Sequence, residues 1–498
     1  MRALISTYDK TGLDRLGPWL HDQGVELLAT GGTQSALEQL GLPVVPSETV
    51  TGFESLLGGR VKTLHPALHA AILARPEAED LAALEAAGIV PIDLVVVNLY
   101  PFRAAWQAGS EGRSLMEQID IGGVALLRGA AKNWERTAVL VEPAQYEQAM
   151  RTPLAQWSAA DRRALAAWAF RLVAAYDADI ANALSANTDW PERLTLTGER
   201  GQPLRYGENP HQRAAFYRTP GAAGLGDLRL LNGEALSYNN LLDLETAWRL
   251  ASELPPPAAV AVKHQTPCGV ALGKTPLDAY VRARKADPVS IFGGIVAVNT
   301  PVERALAERL TKIFLEVVVA PGYSADALAV LAAKPRLRVV ELPAAPPPDL
   351  EWRSVTGGFL VQDRDREQVP VDAFQRVAGP DLGDDVLPDL ALAWTVVRYL
   401  KSNAVALVHR GVTVGVGAGQ TNRIDAVRQA IERAQDGVRG AVLASDAFFF
   451  PDTVEALVAA GVRAAVSPGG SVRDPEVIAA AEAGGLALWF SGERHFRH

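Results

Sequence analysis

The sequence predicts an α/β protein of parallel strands covered by helices, on three observations. Short apolar and β-branched runs recur along the chain, and amphipathic stretches of helical spacing alternate with them. Glycine-marked turns stand where such runs end, as at Thr30-Gly31-Gly32-Thr33. The composition also supplies a core, since 48% of the 498 residues are apolar and 21% charged, which excludes a disordered chain.

Ala3–Ser6 reads as the first strand, followed by a helix from Thr11 to Asp22. Glu26–Ala29 reads as the second, ending at Thr30–Thr33 before a helix from Gln34 to Leu40. Leu94–Val97 is a strongly β-branched strand that ends at Asn98-Leu99-Tyr100-Pro101-Phe102. A helix over Val124–Lys132 and a strand over Thr137–Val141 close this unit. Functional groups in such folds gather beyond the carboxyl ends of strands, where Thr30, Asn98 and Tyr100 fall. Residues 143–187 look helical. Further strands are expected at Ala258–Val262, Ile295–Val298, Val317–Ala320, Val412–Val416, Gly440–Ser445 and Ala464–Ser467, again alternating with helices. The expected organisation is a first domain at 1–142, a helical connection at 143–193 and a second region at 194–498. That region divides into two subdomains near 335–360, close to the proline-rich Ala344–Pro348. No short-period repeat is visible.

Fifty-seven acidic against 48 basic residues give a net charge of −9, so nothing global points to nucleic acid. The single cysteine, Cys268, excludes a disulfide framework and any site needing two thiolates on one chain. The apolar start is too short for a signal segment, and no apolar run approaches the ~20 residues of a membrane span. The expectation is a soluble, cytoplasmic protein with no membrane partner. Only nine of the 48 basic residues are lysine. Where arginine has replaced interchangeable lysines, a surviving lysine points to chemistry arginine cannot copy.

Several short motifs carry candidate chemistry. Thr30-Gly31-Gly32-Thr33 can turn backbone amides toward an anion at a helix start, although a plain strand–helix turn needs glycine too. Ser6 and Lys10, beyond the neighbouring strand, could join the same cradle. Gly59-Arg60-Val61-Lys62-Thr63-Leu64-His65-Pro66 sets two cations and a hydroxyl within four residues, suited to a phosphorylated ligand. Its alternative is a solvated basic turn. Asp120, between Ile119 and Ile121, reads either as a helix N-cap or as a functional carboxylate. Lys132 suits a helix C-terminus equally well. The set of Lys62, Tyr100, Asp120 and Lys132 in one α/β unit favours function.

In the second region, Arg205-Tyr206-Gly207-Glu208-Asn209-Pro210-His211-Gln212 is a loop dense in hydrogen-bonding groups, of the kind that binds ligands. Lys263 and His264 end a buried-type strand before Pro267-Cys268-Gly269. Pro-Cys fits a zinc deaminase only with a second cysteine three residues on, and that position is Ala271. Lys401-Ser402-Asn403 and Gly415–Arg423 complete the set. The alternating glycines of the latter lack dinucleotide-fingerprint spacing and read as close backbone approach in a strand.

In their order, these segments resemble one family over essentially the whole chain: the bifunctional purine-biosynthesis enzymes AICAR formyltransferase / IMP cyclohydrolase. The likeness rests on Asp9-Lys10-Thr11-Gly12, Thr30–Thr33, Gly59–Pro66, Asn98–Phe102, Gln118–Gly123 and Ala130–Asn133. It continues through Arg205–Gln212, Val262–His264, Ser290–Gly293, Lys401–Asn403, Gly417–Arg423, Ser445–Phe449 and Arg494–His498. The chain departs from the family at Tyr8, where a serine is expected, and at Thr266, where asparagine is usual. Its Phe448–Asp452 segment is one residue shorter than the family's.

The resemblance implies an N-terminal methylglyoxal-synthase-like domain that closes formyl-AICAR to IMP with loss of water. Lys62, Tyr100, Asp120 and Lys132 would occupy its catalytic positions. Ser6, Lys10, Thr30, Gly31, Gly32, Thr33, Arg60, Thr63 and Asn98 would bind the nucleotide. It also implies a C-terminal pair of zinc-free, cytidine-deaminase-like α/β subdomains that move a formyl group from 10-formyltetrahydrofolate to AICAR. There Lys263, His264 and Asn403 would be catalytic and Arg205 and Tyr206 would bind AICAR. Phe292, Gly293, Glu316, Arg423, Phe449 and Arg494 fall at or near ligand positions. The resemblance implies a homodimer with the transformylase site across it, no catalytic metal, and room for a structural monovalent cation. The alternative is a C-terminal formyltransferase carrying an N-terminal module that senses phosphate without catalysis.

Overall fold

The computed structural model describes residues 1–185, 190–345, 350–366 and 369–498. They divide into two units, Met1–Thr197 and Gly198–His498.

The first unit is built on five parallel strands: β1 (Arg2–Thr7), β2 (Glu26–Ala29), β3 (Val44–Pro46), β4 (Leu94–Asn98) and β5 (Ala138–Leu140). Their order is β3-β2-β1-β4-β5. The central strands are apolar throughout because helices cover both faces, and Leu4, Ile5, Val95 and Val96 are fully buried. Burial of each such side chain contributes about 1.5–3 kcal/mol, so a charge at Val96 would break the sheet at its centre. β3, absent from the sequence reading, is a three-residue edge strand ending in Pro46, where a missing N–H is tolerated. The helix expected from Gln34 starts earlier, at Gly31, and runs to Gln39. The order reverses between β1 and β4, which opens a crevice at their carboxyl ends.

The stretch expected as a helical connection carries a helix over Ala159–Leu184, started by a Ser158–Asp161 capping box. It packs against the helix Gly122–Lys132 and against β5 inside the first unit. Residues 186–189 of that stretch, and 346–348 of the proline-rich segment, lie outside the described residues.

In the second unit a hairpin, β6 (Glu199–Leu204) and β7 (Ala214–Arg218), precedes a twelve-stranded sheet. One half of that sheet holds β8 (Arg229–Asn232), β9 (Ala258–Lys263), β10 (Thr266–Leu272), β11 (Ile295–Val298), β12 (Val317–Ala320) and β13 (Arg338–Glu341). A separate hairpin follows, β14 (Leu350–Val355) with β15 (Gly358–Asp363). The other half holds β16 (Gln375–Ala378), β17 (Val405–His409), β18 (Val412–Gly417), β19 (Val442–Ser445), β20 (Ala464–Ser467) and β21 (Ala487–Phe490).

The two halves repeat one another. Each has an antiparallel hairpin (β9–β10, β17–β18), then three parallel strands with helices between them, then an antiparallel edge strand (β8, β16). They join antiparallel through β10 and β18 in a single sheet. This long-period repetition leaves no short-period repeat in the sequence. β10 escaped the sequence reading, because Pro267 and Gly269 read as loop. Both are accommodated at a register shift, the irregularity where proline and glycine belong in a sheet. Gly415 and Gly417 lie where β18 meets the helix Arg423–Ala434, and a Cβ on either would collide with the carbonyl of Ala430 or Ala426. That is the close approach the sequence reading expected.

Candidate active sites

A cavity of about 800 Å³ opens at the carboxyl ends of β1, β2 and β4. Ser6, Lys10, Thr30, Gly32, Thr33, Arg60, Lys62, Thr63, Asn98, Tyr100 and Asp120 all line it. Ser6 and Thr30 share a hydroxyl hydrogen bond of 2.9 Å, and Thr33 Oγ1 accepts the Thr7 N–H at 3.0 Å. The helix beginning at Gly31 presents its first N–H groups here, which have no partner within the helix. Lys62 extends across Gly31, so closely that a Cβ there would overlap Nζ.

Asn98 is engaged with backbone. Its Oδ1 accepts the N–H groups of Tyr8 (2.6 Å) and Asp9 (2.8 Å), and its Nδ2 donates to the Asp9 carbonyl at 2.8 Å. It shapes the loop that carries Lys10, whose ammonium donates to the Thr7 and Tyr8 carbonyls. Burial lowers the pKa of Lys10, opposed by the charge of Asp9. Arg60 forms an ion pair at the cavity mouth with Glu117, a residue no motif had marked.

Asp120 sits before the helix Gly122–Lys132, and its carboxylate accepts the backbone N–H groups of Gly123 (2.6 Å) and Tyr100. Burial nevertheless raises its pKa above the ordinary carboxylate value. Burial also raises that of the Tyr100 phenol, with a further push from the Asp120 charge. Tyr176, from the long helix, anchors this segment: its hydroxyl accepts the Asp120 N–H at 2.9 Å and donates to the Gln118 carbonyl at 2.8 Å. Sequence reasoning missed Tyr176, a lone tyrosine within a helical run. Tyr8 meets Tyr100 edge-on with ring centroids 5.6 Å apart, so the residue that departs from the family forms part of the cavity wall.

Lys132 does not line this cavity. It ends the helix that Gly122 begins, about 15 Å away at 1.5 Å per residue. There it lines an adjoining cleft of about 580 Å³ with His69, Arg128 and Asp177. Asp120 borders both spaces.

In the second unit, Lys263 ends β9 and donates from Nζ to the Phe292 (3.1 Å) and Gly293 (2.9 Å) carbonyls. Gly293 is required here: its φ is +67°, and a Cβ would come within 3.1 Å of that ammonium. The β9–β10 turn is made by His264 and Gln265, at φ +52° and +60°. Paired left-handed residues of this kind are normally Asn-Gly, and each non-glycine residue there costs about 1–3 kcal/mol. Asp243, on the helix Tyr238–Glu253, accepts both turn amides, at 3.2 Å from His264 and 2.6 Å from Gln265. The sequence reading did not single out Asp243.

Asn403 precedes β17. Its Nδ2 donates to the Gln420 carbonyl at 2.9 Å, and its Oδ1 accepts from Arg423 at 2.9 Å. Arg423 also pairs with Asp446 at 2.5 Å, and both are buried. Arg423 therefore acts on its surroundings through Asn403 and Asp446. Because the strands alternate in direction from β9 through β10 and β18 to β17, His264 and Asn403 leave the sheet at the same end. Three strand spacings separate them, about 14 Å.

The remaining candidates scatter. Arg205 pairs with Glu234 at 3.1 Å and lies 5.7 Å from the Tyr206 ring. Glu316 is held by Arg338 at 2.8 Å. Phe292 is 62% exposed beside Phe314, and Arg494 covers the Phe496 ring at 4.8 Å. Phe449 is 1% exposed within a hydrophobic core, while its neighbours Phe448 and Phe450 show the accessible rings. Among the described residues, no three His, Cys, Asp or Glu side chains converge as a metal-binding group. None of the described helices is long and apolar enough to cross a membrane.

Comparison with known proteins assigns the family. Residues 130–433 match the family model described as AICARFT/IMPCHase bienzyme, and residues 16–125 match that of the MGS-like domain. Curated relatives called bifunctional purine biosynthesis protein PurH align over the whole chain. The protein from Desulfitobacterium hafniense (strain DSM 10664 / DCB-2) is 46% identical, covering 100% of this chain and 99% of its own. That from Sorangium cellulosum is 48% identical, with 100% and 99% covered, and that from Listeria monocytogenes 46%, with 100% of both. The chain belongs to the AICARFT/IMPCHase bienzyme family, the bifunctional AICAR formyltransferase and IMP cyclohydrolase enzymes of purine biosynthesis.

Proposed function

We propose that the two activities divide between the two units, ring closure in the first and formyl transfer in the second. The observation that carries this reading is the cavity of the first unit, where a phosphate cradle and the groups Lys62, Tyr100 and Asp120 share one wall-to-wall space. The nucleotide phosphate rests on the helix start at Gly31–Thr33 with Ser6 and Lys10. The carboxamide nitrogen attacks the formyl carbon of the same molecule, so holding the reactive conformer is a large part of the work. Lys62 and the Tyr100 phenol donate to the developing oxyanion. Asp120, its pKa raised by burial, moves protons as water leaves. Lys132 faces the adjoining cleft, and no step is assigned to it. A sensing module needs the cradle alone; the proton-transfer groups beside it favour catalysis.

In the second unit the AICAR amine attacks the formyl carbon of 10-formyltetrahydrofolate. His264 takes the amine proton, the carbon–nitrogen bond to folate breaks, and the folate nitrogen is protonated as it departs. Lys263 has two of its three donors on carbonyls and turns the third to the formyl group. Asn403 has one amide hydrogen left for the same purpose, and Arg423 holds it in place. Arg205 and Tyr206 bind AICAR. The enzyme works in the cytoplasm as a homodimer, with the transformylase site completed across two copies. The test is an absorbance assay of purified protein with AICAR and 10-formyltetrahydrofolate. IMP is the expected product, and formyl-AICAR accumulating without IMP would instead support the sensor reading.

A further inference from the structure

The turn that carries His264 has a counterpart at the opposite end of the sheet. In the second half, the β17–β18 turn is Arg410–Gly411, at φ +52° and +73°. Asp389, on the helix Leu387–Val397, accepts both of its amides at 2.6 Å. The spacing from carboxylate to turn is 21 residues in both halves. The duplication has thus kept one carboxylate clamp at each hairpin. The residues it holds differ. The second half uses glycine at the more demanding position, whereas the first keeps Gln265 there and His264 before it.

We propose that Asp243 is a positioning residue for formyl transfer, fixing through the His264–Gln265 backbone the direction in which the imidazole leaves the sheet. Two observations carry this beyond a structural role. The first turn lacks the glycine that relaxes its twin, so its geometry depends more heavily on the clamp. Lys263, immediately before it, is held separately by the Phe292 and Gly293 carbonyls. Two adjacent side chains of one hairpin end are therefore aimed by groups outside the hairpin. Asp243 itself is half-buried behind the turn, and its charge is attracted to both Lys263 and His264.

This inference rests on the reading of Lys263 and His264 as the transformylase end, and the experiment separates the two. Asp243→Asn and Asp389→Asn each replace one acceptor oxygen with a donor, in the same clamp at opposite ends of the sheet. Asp389→Asn is expected to leave formyl transfer within threefold of the parent. Asp243→Asn is expected to lower kcat at least 100-fold, with KM for AICAR within threefold and IMP formation from supplied formyl-AICAR unchanged. Adding Gln265→Gly to Asp243→Asn should recover at least tenfold, because glycine adopts the turn without the clamp. If Asp243→Asn does not fold, the double variant carries the comparison with Asp389→Asn. Equal losses at the two clamps, or no rescue, would overturn the positioning role while His264→Ala remained inactive. Formyl transfer surviving in His264→Ala would overturn the site reading and the inference with it.

Discussion

Lys62 reaches its place in the first unit's cavity only because residue 31 has no side chain: its ammonium lies where a Cβ on Gly31 would be. Gly31 also holds φ +39°, strained for any other residue. Gly31→Ala is therefore expected to displace Lys62 and lower kcat/KM for ring closure at least 100-fold. Formyl transfer, assayed separately, should be unchanged.

If Lys62 and Lys263 act as proposed, arginine cannot replace either, because a planar guanidinium does not present a point charge in a lysine's geometry. Lys62→Arg should abolish cyclisation and leave formyl transfer; Lys263→Arg should do the reverse. Assays with formyl-AICAR alone and with AICAR plus formyl donor decide this. Retention of both activities in either variant would refute the division of labour.

Asp120 should carry a stability penalty. Burial raises its pKa, so the folded chain keeps the proton to a higher pH than the unfolded chain does. Stability falls as pH rises from the unfolded value of about 3.9 through the raised one, and the whole penalty is present above it. Asp120→Asn, which still accepts the Gly123 N–H, should unfold at higher temperature than the parent at pH 7. That advantage should vanish in acid below the unfolded value. Cyclisation should be lost throughout.

Arg423 and Asp446 form a buried pair, and removing one charge strands the other. Arg423→Ala is expected to cost about 3–5 kcal/mol in denaturant unfolding of the second unit. Formyl transfer should fall with it, because Asn403 loses the donor on its carbonyl oxygen.

Tyr8 replaces the serine expected of the family and packs edge-on against Tyr100. An aromatic pair of this kind contributes about 1 kcal/mol, so Tyr8→Ser should lower the unfolding free energy of the first unit by about that amount in denaturant unfolding.

Much of this architecture was legible. Val95–Val97 and Val317–Val319 are strands because continuous β-branched runs buried on both faces have no competing periodicity. Ser6, Thr30, Asn98 and Tyr100 were legible because each lies at or just beyond a strand end, and Arg60, Lys62, Thr63 and Asp120 because each lies in a short polar motif before a helix. Tyr176, Glu117 and Asp243 were not, since each acts across the fold from a helix or loop with no local pattern around it. The distance from Lys132 to the cavity was equally hidden, because a motif records order along the chain and not helix length. Lysine scarcity marked all nine lysines alike and singled out none; of them Lys10 and Lys62 line the cavity.

The antiparallel join of the two halves has a consequence for how this sheet could have arisen. Within one half, the hairpin turn and the start of its first strand face opposite ends. A solitary ancestral half would have held the counterparts of His264 and Asn403 a strand length apart, facing away from each other. The antiparallel join through β10 and β18 sets one half's turn at the same end as the other half's strand start. A site that draws on both positions therefore needs two halves so joined, whether in one chain or in two.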